Sequence, residues 1–247
     1  MRPATYARSV TDSPRGTTRI VQQAPRARGH RLQPSWRNPE AFRPRIRRLL
    51  PLVAGKDLLD IGCVSAVSRP DWIHGALAGA ASRTVGVDID PGGVAAAREL
   101  GYDVRVADAE VLDLTETFDV IHAGELIEHL DNPRAFLAAC RERLRPGGQL
   151  ILTTPNPFAI SNLVYRFGGK PRVNGDHTCW YCEDTLAQLL VRNGYVVESM
   201  SYLPHDTPGR WRPRLTALLR RPLPDRLAWN TILVVARPEL DGEDIPQ

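Results

Sequence analysis

Lysine is nearly absent from this chain of 247 residues: Lys56 and Lys170 stand against thirty arginines, a bias expected of a GC-rich genome. Long apolar runs are missing too. No stretch of about eighteen apolar residues occurs, which excludes a helix that spans a bilayer. The first residues, "MRPATYARSVTDSPRG", are basic but lack an apolar centre, which argues against a secretory signal and for a cytoplasmic location. Cysteine is scarce, with Cys63, Cys140, Cys179 and Cys182 scattered along a chain large enough to do without disulfides. Only Cys179 and Cys182 form C-x-x-C, one pair supplies too few zinc ligands, and no metal site is expected. The most telling absence is local. In "LLDIGCVSAVSRP" a short apolar strand ending at Asp60 and Gly62 runs into a turn with one glycine, where Val64 and Ala66 stand at places that suit glycine.

Charge is distributed unevenly. Residues 1–48 hold twelve arginines against Asp12 and Glu40, near +10, which leaves the rest of the chain near −6. Residues 1–35 carry Pro, Gly, Ser and Thr without apolar periodicity and read as a basic, disordered leader. A folded domain is expected over 36–240, with an acidic tail at 241–247. The acidic body gives no support to a nucleic-acid partner.

From about residue 36, Phe42, Ile46, Leu49 and Leu50 recur at helical spacing, with Pro44 read as an interruption. Strands and helices then alternate. Strands are expected at 57–61, 84–88, 103–107, 118–123, 149–154, 195–202 and 231–236, and helices at 70–80, 92–100, 133–144 and 183–193. Asn132 before Pro133 makes a good start for the third of these helices. Such alternation implies a doubly wound α/β fold, a mostly parallel twisted sheet with helices on both faces. Ligands of such sheets sit beyond the carboxyl ends of the strands. There the sequence places Asp60 with Gly62, Asp88 with Asp90, Asp108 with Glu110, and Gly124 with Glu125.

Asp88 follows Gly62 by 26 residues, the place from which a carboxylate accepts both hydroxyls of a ribose; Asp108 could accept from an adenine amino group, with the Ala109 amide donating to the ring. A dinucleotide needs several glycines around its pyrophosphate, and this turn has one, so a nucleoside ligand without phosphates fits better than NAD.

The segments "LLDIGC", "VGVDID", "ADAE", "FDVIHAGELIEHL", "LRPGGQLILTTPN" and "HTCWYCEDTLAQLLVRNGY" together resemble the class I S-adenosylmethionine-dependent methyltransferases, of the group that includes the ubiquinone-biosynthesis O-methyltransferases. The resemblance covers about residues 45–236 and implies a seven-stranded, Rossmann-like sheet whose last strand is antiparallel. It implies S-adenosyl-L-methionine as cofactor, with Asp88 at the ribose, Asp108 and Ala109 at the adenine, Asp60, Gly62 and Gly124 around the methionine part, and Cys63, Ile89 and Glu110 also among the cofactor-binding residues. The departure is at Val64 and Ala66, where the family usually has glycines. Valine at positive φ would cost about 1–3 kcal/mol, so the turn is expected to take another path.

The acceptor is expected to be a small molecule bearing a hydroxyl. In "GELIEHLDNP", Glu125 and His129 would share a face by i, i+4 spacing if the turn is helical, which makes His129 the first candidate base with Glu125 orienting it. His177 is the second candidate. It lies in the insertion 156–184, whose Phe158, Tyr165, Phe167, Trp180 and Tyr181 could line an acceptor pocket. Glu128 stands at the same strand end; the alternative is that His129 caps structure or that Glu128 merely braces the next helix, while His74 is read as structural and His122 is given no role. The competing reading is a methyltransferase fold that binds its ligand without turnover.

Overall fold

The computed structural model describes residues 44–67, 69, 71–162, 174–203 and 222–240. The basic leader, the acidic tail, Phe42, Tyr165 and Phe167 lie outside these residues. Among the described residues six helices and seven strands follow one another: α1 (Pro44–Val53), β1 (Asp57–Ile61), α2 (Ile73–Ala78), β2 (Arg83–Asp88), α3 (Pro91–Glu99), β3 (Val104–Val106), β4 (Phe118–Gly124), α4 (Pro133–Arg143), β5 (Leu144–Pro155), α5 (Glu183–Arg192), β6 (Tyr195–Leu203), α6 (Asp225–Ala228) and β7 (Thr231–Pro238). A single 3-10 turn at Ile127–His129 lies between β4 and α4.

The seven strands form one sheet in the order β3-β2-β1-β4-β5-β7-β6. β1 pairs in parallel with β2 and β4, and β4 with β5. β7 inserts antiparallel between β5 and β6, so it alone runs against the rest. This is the doubly wound sheet with an antiparallel last strand that the residue pattern and the resemblance led one to expect. The order reverses at β1, which puts the switch-point crevice at the carboxyl ends of β1 and β4.

Alternate residues of each strand serve opposite faces. Leu58, Val120, Ile151 and Val235 pack with Leu49 and Val53 of α1 and Leu77 of α2. Leu59, Ile121, Leu152 and Val234 pack with Phe136 and Leu137 of α4 and Leu186 and Leu190 of α5. Asn132 caps α4 as expected, its side chain accepting from the Ala135 amide at 3.1 Å, with Pro133 in the first turn. Pro44 is the first residue of α1 rather than an interruption, because the first turn needs no proline N–H. The helix expected at 70–80 is shortened to Ile73–Ala78, since the preceding residues are used by the turn after β1.

Candidate functional site

At the end of β1, Gly62 takes φ +72°, the left-handed conformation a glycine serves best. Val64 is not among the described residues with positive φ; Ala66 is, at φ +71°. The turn therefore takes another path, as expected, with the strain falling on alanine rather than valine. Val64 is buried and leans on the first turn of α3, where a Cβ added to Gly93 would collide with its Cγ2. Its amide donates to Asp88 Oδ2 at 3.0 Å, and the Trp72 indole donates to the Cys63 carbonyl at 2.6 Å. Apolar packing and two hydrogen bonds thus hold a turn that lacks two of its usual glycines. The Cys63 thiol is buried against Gly86, and burial raises its pKa, so the side chain belongs to the core and only its backbone borders the crevice.

Asp60 departs from the expectation that it meets the ligand. It is 2% exposed and points into the α2 face, where Oδ2 accepts from His74 Nδ1 at 2.8 Å and Oδ1 from His122 Nδ1 at 2.7 Å. Burial alone would raise its carboxyl; the imidazoles of His122 and His74 more than offset that and leave it at about 2. Both rings, one read as structural and one given no role, form a buried polar knot with it. Any influence of Asp60 on a ligand is indirect.

The next two strand ends match the sequence reading in place. Asp88 is partly exposed, and its Oδ1 accepts from the Asp90 amide at 3.0 Å. Ile89 beside it is 72% exposed, an apolar side chain left at the crevice edge. Asp108 accepts from the Glu110 amide at 2.8 Å, and the partly buried Ala109 packs on the core. Glu110 is partly exposed, and its Oε1 accepts from the Asn132 amide at 2.7 Å and so ties this loop to the start of α4.

After β4 the expected helical turn is absent. Glu125 sits at φ +52°, ahead of the 3-10 turn, and pairs with Arg45 of α1 at 3.1 Å. It cannot orient His129 by i, i+4 spacing. His129 Nδ1 donates instead to the Asp176 carbonyl at 3.2 Å, and its ring meets His177 edge to face at 4.5 Å between centroids. Segment 174–182 is strapped onto this turn: the Thr178 amide donates to the Glu128 carbonyl at 2.8 Å, and its hydroxyl to the carbonyls of Glu128 and Leu130.

Glu128 is the residue that sequence reasoning undervalued. It is fully buried; Oε2 accepts from the Thr154 hydroxyl at 3.0 Å, while Oε1 has no hydrogen-bond partner among the described residues. Burial, with Glu125 nearby, pushes its carboxyl up to about 7. The pKa of His177 is lowered by burial and by His129 beside it, and its Nδ1 is also without a hydrogen-bond partner among the described residues. One ligand atom each from Glu128, His129 and His177 lie within 4.8 Å of one another, a set that could share a proton, a substrate hydroxyl or a cation. Trp180 Nε1 is buried and unpartnered close by in sequence, Tyr181 packs on the core, and Phe158 is 57% exposed. The E-x-x-E-H spacing contained Glu128; no signal in the sequence pointed to Arg45.

Comparison with known proteins agrees with this architecture. A profile of the family described as "Methyltransferase domain" matches residues 34–200. The ubiquinone biosynthesis O-methyltransferase of Nitrobacter winogradskyi is 32% identical over 178 residues, 66% of this chain and 66% of that protein. The protein of the same name from Cereibacter sphaeroides is 37% identical over 154 residues, 57% and 60% of the two chains. The chain thus spans two thirds or less of these relatives' length. Among solved structures, an S-adenosylmethionine-dependent methyltransferase from Mesorhizobium loti superposes with a TM-score of 0.55 at 23% identity, over 78% of this chain and 95% of that one. The glycopeptide N-methyltransferase MtfA complexed with S-adenosyl-L-methionine gives 0.54 at 16% identity, over 78% and 86%.

Proposed function

The chain belongs to the methyltransferase-domain family, and from that premise we propose that it transfers the methyl group of S-adenosyl-L-methionine to a hydroxyl oxygen of a small molecule. Asp88 takes the ribose hydroxyls and Asp108 with the Ala109 amide the adenine, at strand ends where both carboxylates remain at least partly exposed. Gly62 and Gly124 border the methionine part. The sulfonium carries its own leaving group, so the protein's contribution is alignment, which can account for about 7–11 kcal/mol of barrier. A hydroxyl acceptor must also lose its proton.

The observation that carries the reading is the convergence of Glu128, His129 and His177 just beyond β4, beneath segment 174–182. It gives the crevice a place where an acceptor hydroxyl is held and its proton drawn off. A sugar or aromatic hydroxyl is the acceptor this reading favours, and the names of the relatives favour O-methylation.

The test is incubation of the full chain with labelled S-adenosyl-L-methionine and small-molecule extracts, with mass spectrometry for a product heavier by one methylene. S-adenosyl-L-homocysteine should raise the melting temperature as RT ln(1 + [L]/Kd). A flat melting response at millimolar ligand overturns the proposal. Val64 and its packing on α3 favour a second reading, in which the narrowed turn binds the nucleoside without turnover. Stabilisation by the ligand with no methylated product from any acceptor would select it.

A further inference from the structure

Resting on the reading of the crevice as an S-adenosyl-L-methionine site, we propose that His122 of β4 binds the α-ammonium group of the methionine part through its Nε2, with Asp60 as the positioning residue behind it. The orphan atoms come first. His122 is 2% exposed and Thr153 is fully buried, yet His122 Nε2 and Thr153 Oγ1 have no hydrogen-bond partner among the described residues. Buried polar atoms are ordinarily paired. These two lie together, because a Cβ added to Gly124 would stand 3.2 Å from Nε2 and 3.4 Å from Oγ1. The missing side chain of Gly124 leaves a slot with a polar atom on either side. It lies at the crevice edge, since Gly124 is the last residue of β4 and is partly exposed.

The proton positions come second. The Asp60 carboxyl, held at about 2, is ionised at neutral pH and can only accept, so His122 Nδ1 is the donor of their 2.7 Å bond. In the neutral ring Nε2 then carries a lone pair and no proton. Glu125 and Arg45, the other charges at this end of β4, are paired with each other, so the sign behind the slot is that of Asp60. A lone pair backed by negative charge attracts an ammonium and repels the carboxylate of the same amino-acid group. An ammonium has three N–H donors, enough to serve Nε2 and the Thr153 hydroxyl at once.

The position comes third. Ile61 of β1 lies beside Ala123 of β4, so Gly62 and Gly124 flank the place read for the methionine part. The β1 side offers an ammonium little. The Cys63 carbonyl is already engaged by the Trp72 indole at 2.6 Å, and the space beside Gly62 is taken by Leu126, whose Cδ1 would lie 3.3 Å from an added Cβ. A turn with valine and alanine at 64 and 66, its carbonyl spent on Trp72, leaves the ammonium to a side chain of β4.

The test is calorimetric titration of the full chain at about pH 8, where a free imidazole is neutral. The ligands are S-adenosyl-L-homocysteine, its analogue without the amino group, its analogue without the carboxylate, and 5′-methylthioadenosine, which lacks the amino-acid group altogether. The parent should prefer S-adenosyl-L-homocysteine over the deaminated analogue by roughly 10- to 100-fold. His122→Asn, whose amide keeps the donation to Asp60 but has nothing in place of Nε2, should erase that preference and bind 5′-methylthioadenosine as the parent does. Gly124→Ala, which closes the slot, should act in the same way, and Thr153→Val should reduce the preference by roughly 3-fold. Asp60→Asn should also reduce it, a ratio that lost stability alone does not move. Melting without ligand verifies folding, and where His122→Asn does not fold, Gly124→Ala and Thr153→Val decide. An undiminished preference in folded His122→Asn overturns the proposal, as does a parent whose affinity follows the carboxylate and not the amino group. A parent that binds none of the four ligands refutes the methyltransfer reading and this proposal with it, whereas a parent that binds S-adenosyl-L-homocysteine and variants that keep its preference refute the role of His122 alone.

Discussion

The loops after β1 and β4 stand side by side at the switch point and solve opposite problems. The first is closed by packing: Val64 fills the space that Gly93 leaves, Trp72 ties down the Cys63 carbonyl, and the one strongly acidic group, Asp60, is turned inward onto two imidazoles. The second is left polar, with Glu128 and His177 each offering a buried atom that has no hydrogen-bond partner among the described residues. Buried polar groups are ordinarily paired. Where the pairing is complete, as at Asp60, the group serves stability; where it is left open, as at Glu128, it is available to a ligand.

That contrast can be broken by mutation. The largest loss of stability is expected from Asp60→Leu, which strands both His74 and His122: about 3–5 kcal/mol in urea unfolding. A smaller loss would mean the knot is not a structural unit. At the other loop, His177→Ala should lower turnover by about 100-fold or more while moving stability by less than about 0.5 kcal/mol. An equal shift in both quantities would erase the distinction drawn here.

Acid should reach Asp60 only well below the pH at which Glu128, raised to about 7, takes up its proton. Asp60 has a folded-state pKa of about 2, below the 3.8 of a free carboxyl, so its contribution is present above pH 4 and is lost as pH falls toward 2. The expected size is about 2 kcal/mol. Asp60→Leu should flatten that part of the stability profile.

Gly93→Ala should cost about 1–3 kcal/mol because its new methyl meets Val64. The double variant with Val64→Ala should recover part of that loss, and simple additivity would show that the two do not touch. Smallest of all, Asn132→Ala should cost about 1 kcal/mol through the lost cap of α4.

Much of the fold was legible in the chain. Strand β1 was placed residue for residue, and the others to within a few, because Val, Ile and Leu runs bounded by Gly, Pro and Asp leave few alternatives. The longest discrepancy is β5, which begins at Leu144, directly after α4, where "RPGG" reads as a turn. The cofactor edge was legible for a related reason, since strand ends in a doubly wound sheet are fixed by topology, and Asp88 and Asp108 hold those places. The acceptor side was not. It depended on whether residues 125–129 form an α-turn, and Glu125 at positive φ forbids that.

The sequence by itself determined the alternation of elements, the parallel sheet and the row of acids along its carboxyl edge, because period and punctuation act over a few residues. Only the tertiary structure decided what each acid does. Asp60 meets His122 across 62 residues, and Asp176 reaches His129 across 47, contacts that exist only once β1 lies beside β4 and segment 174–182 folds onto the turn after β4. A carboxylate's role follows from its neighbours and from its distance to water, and neither is written in local sequence.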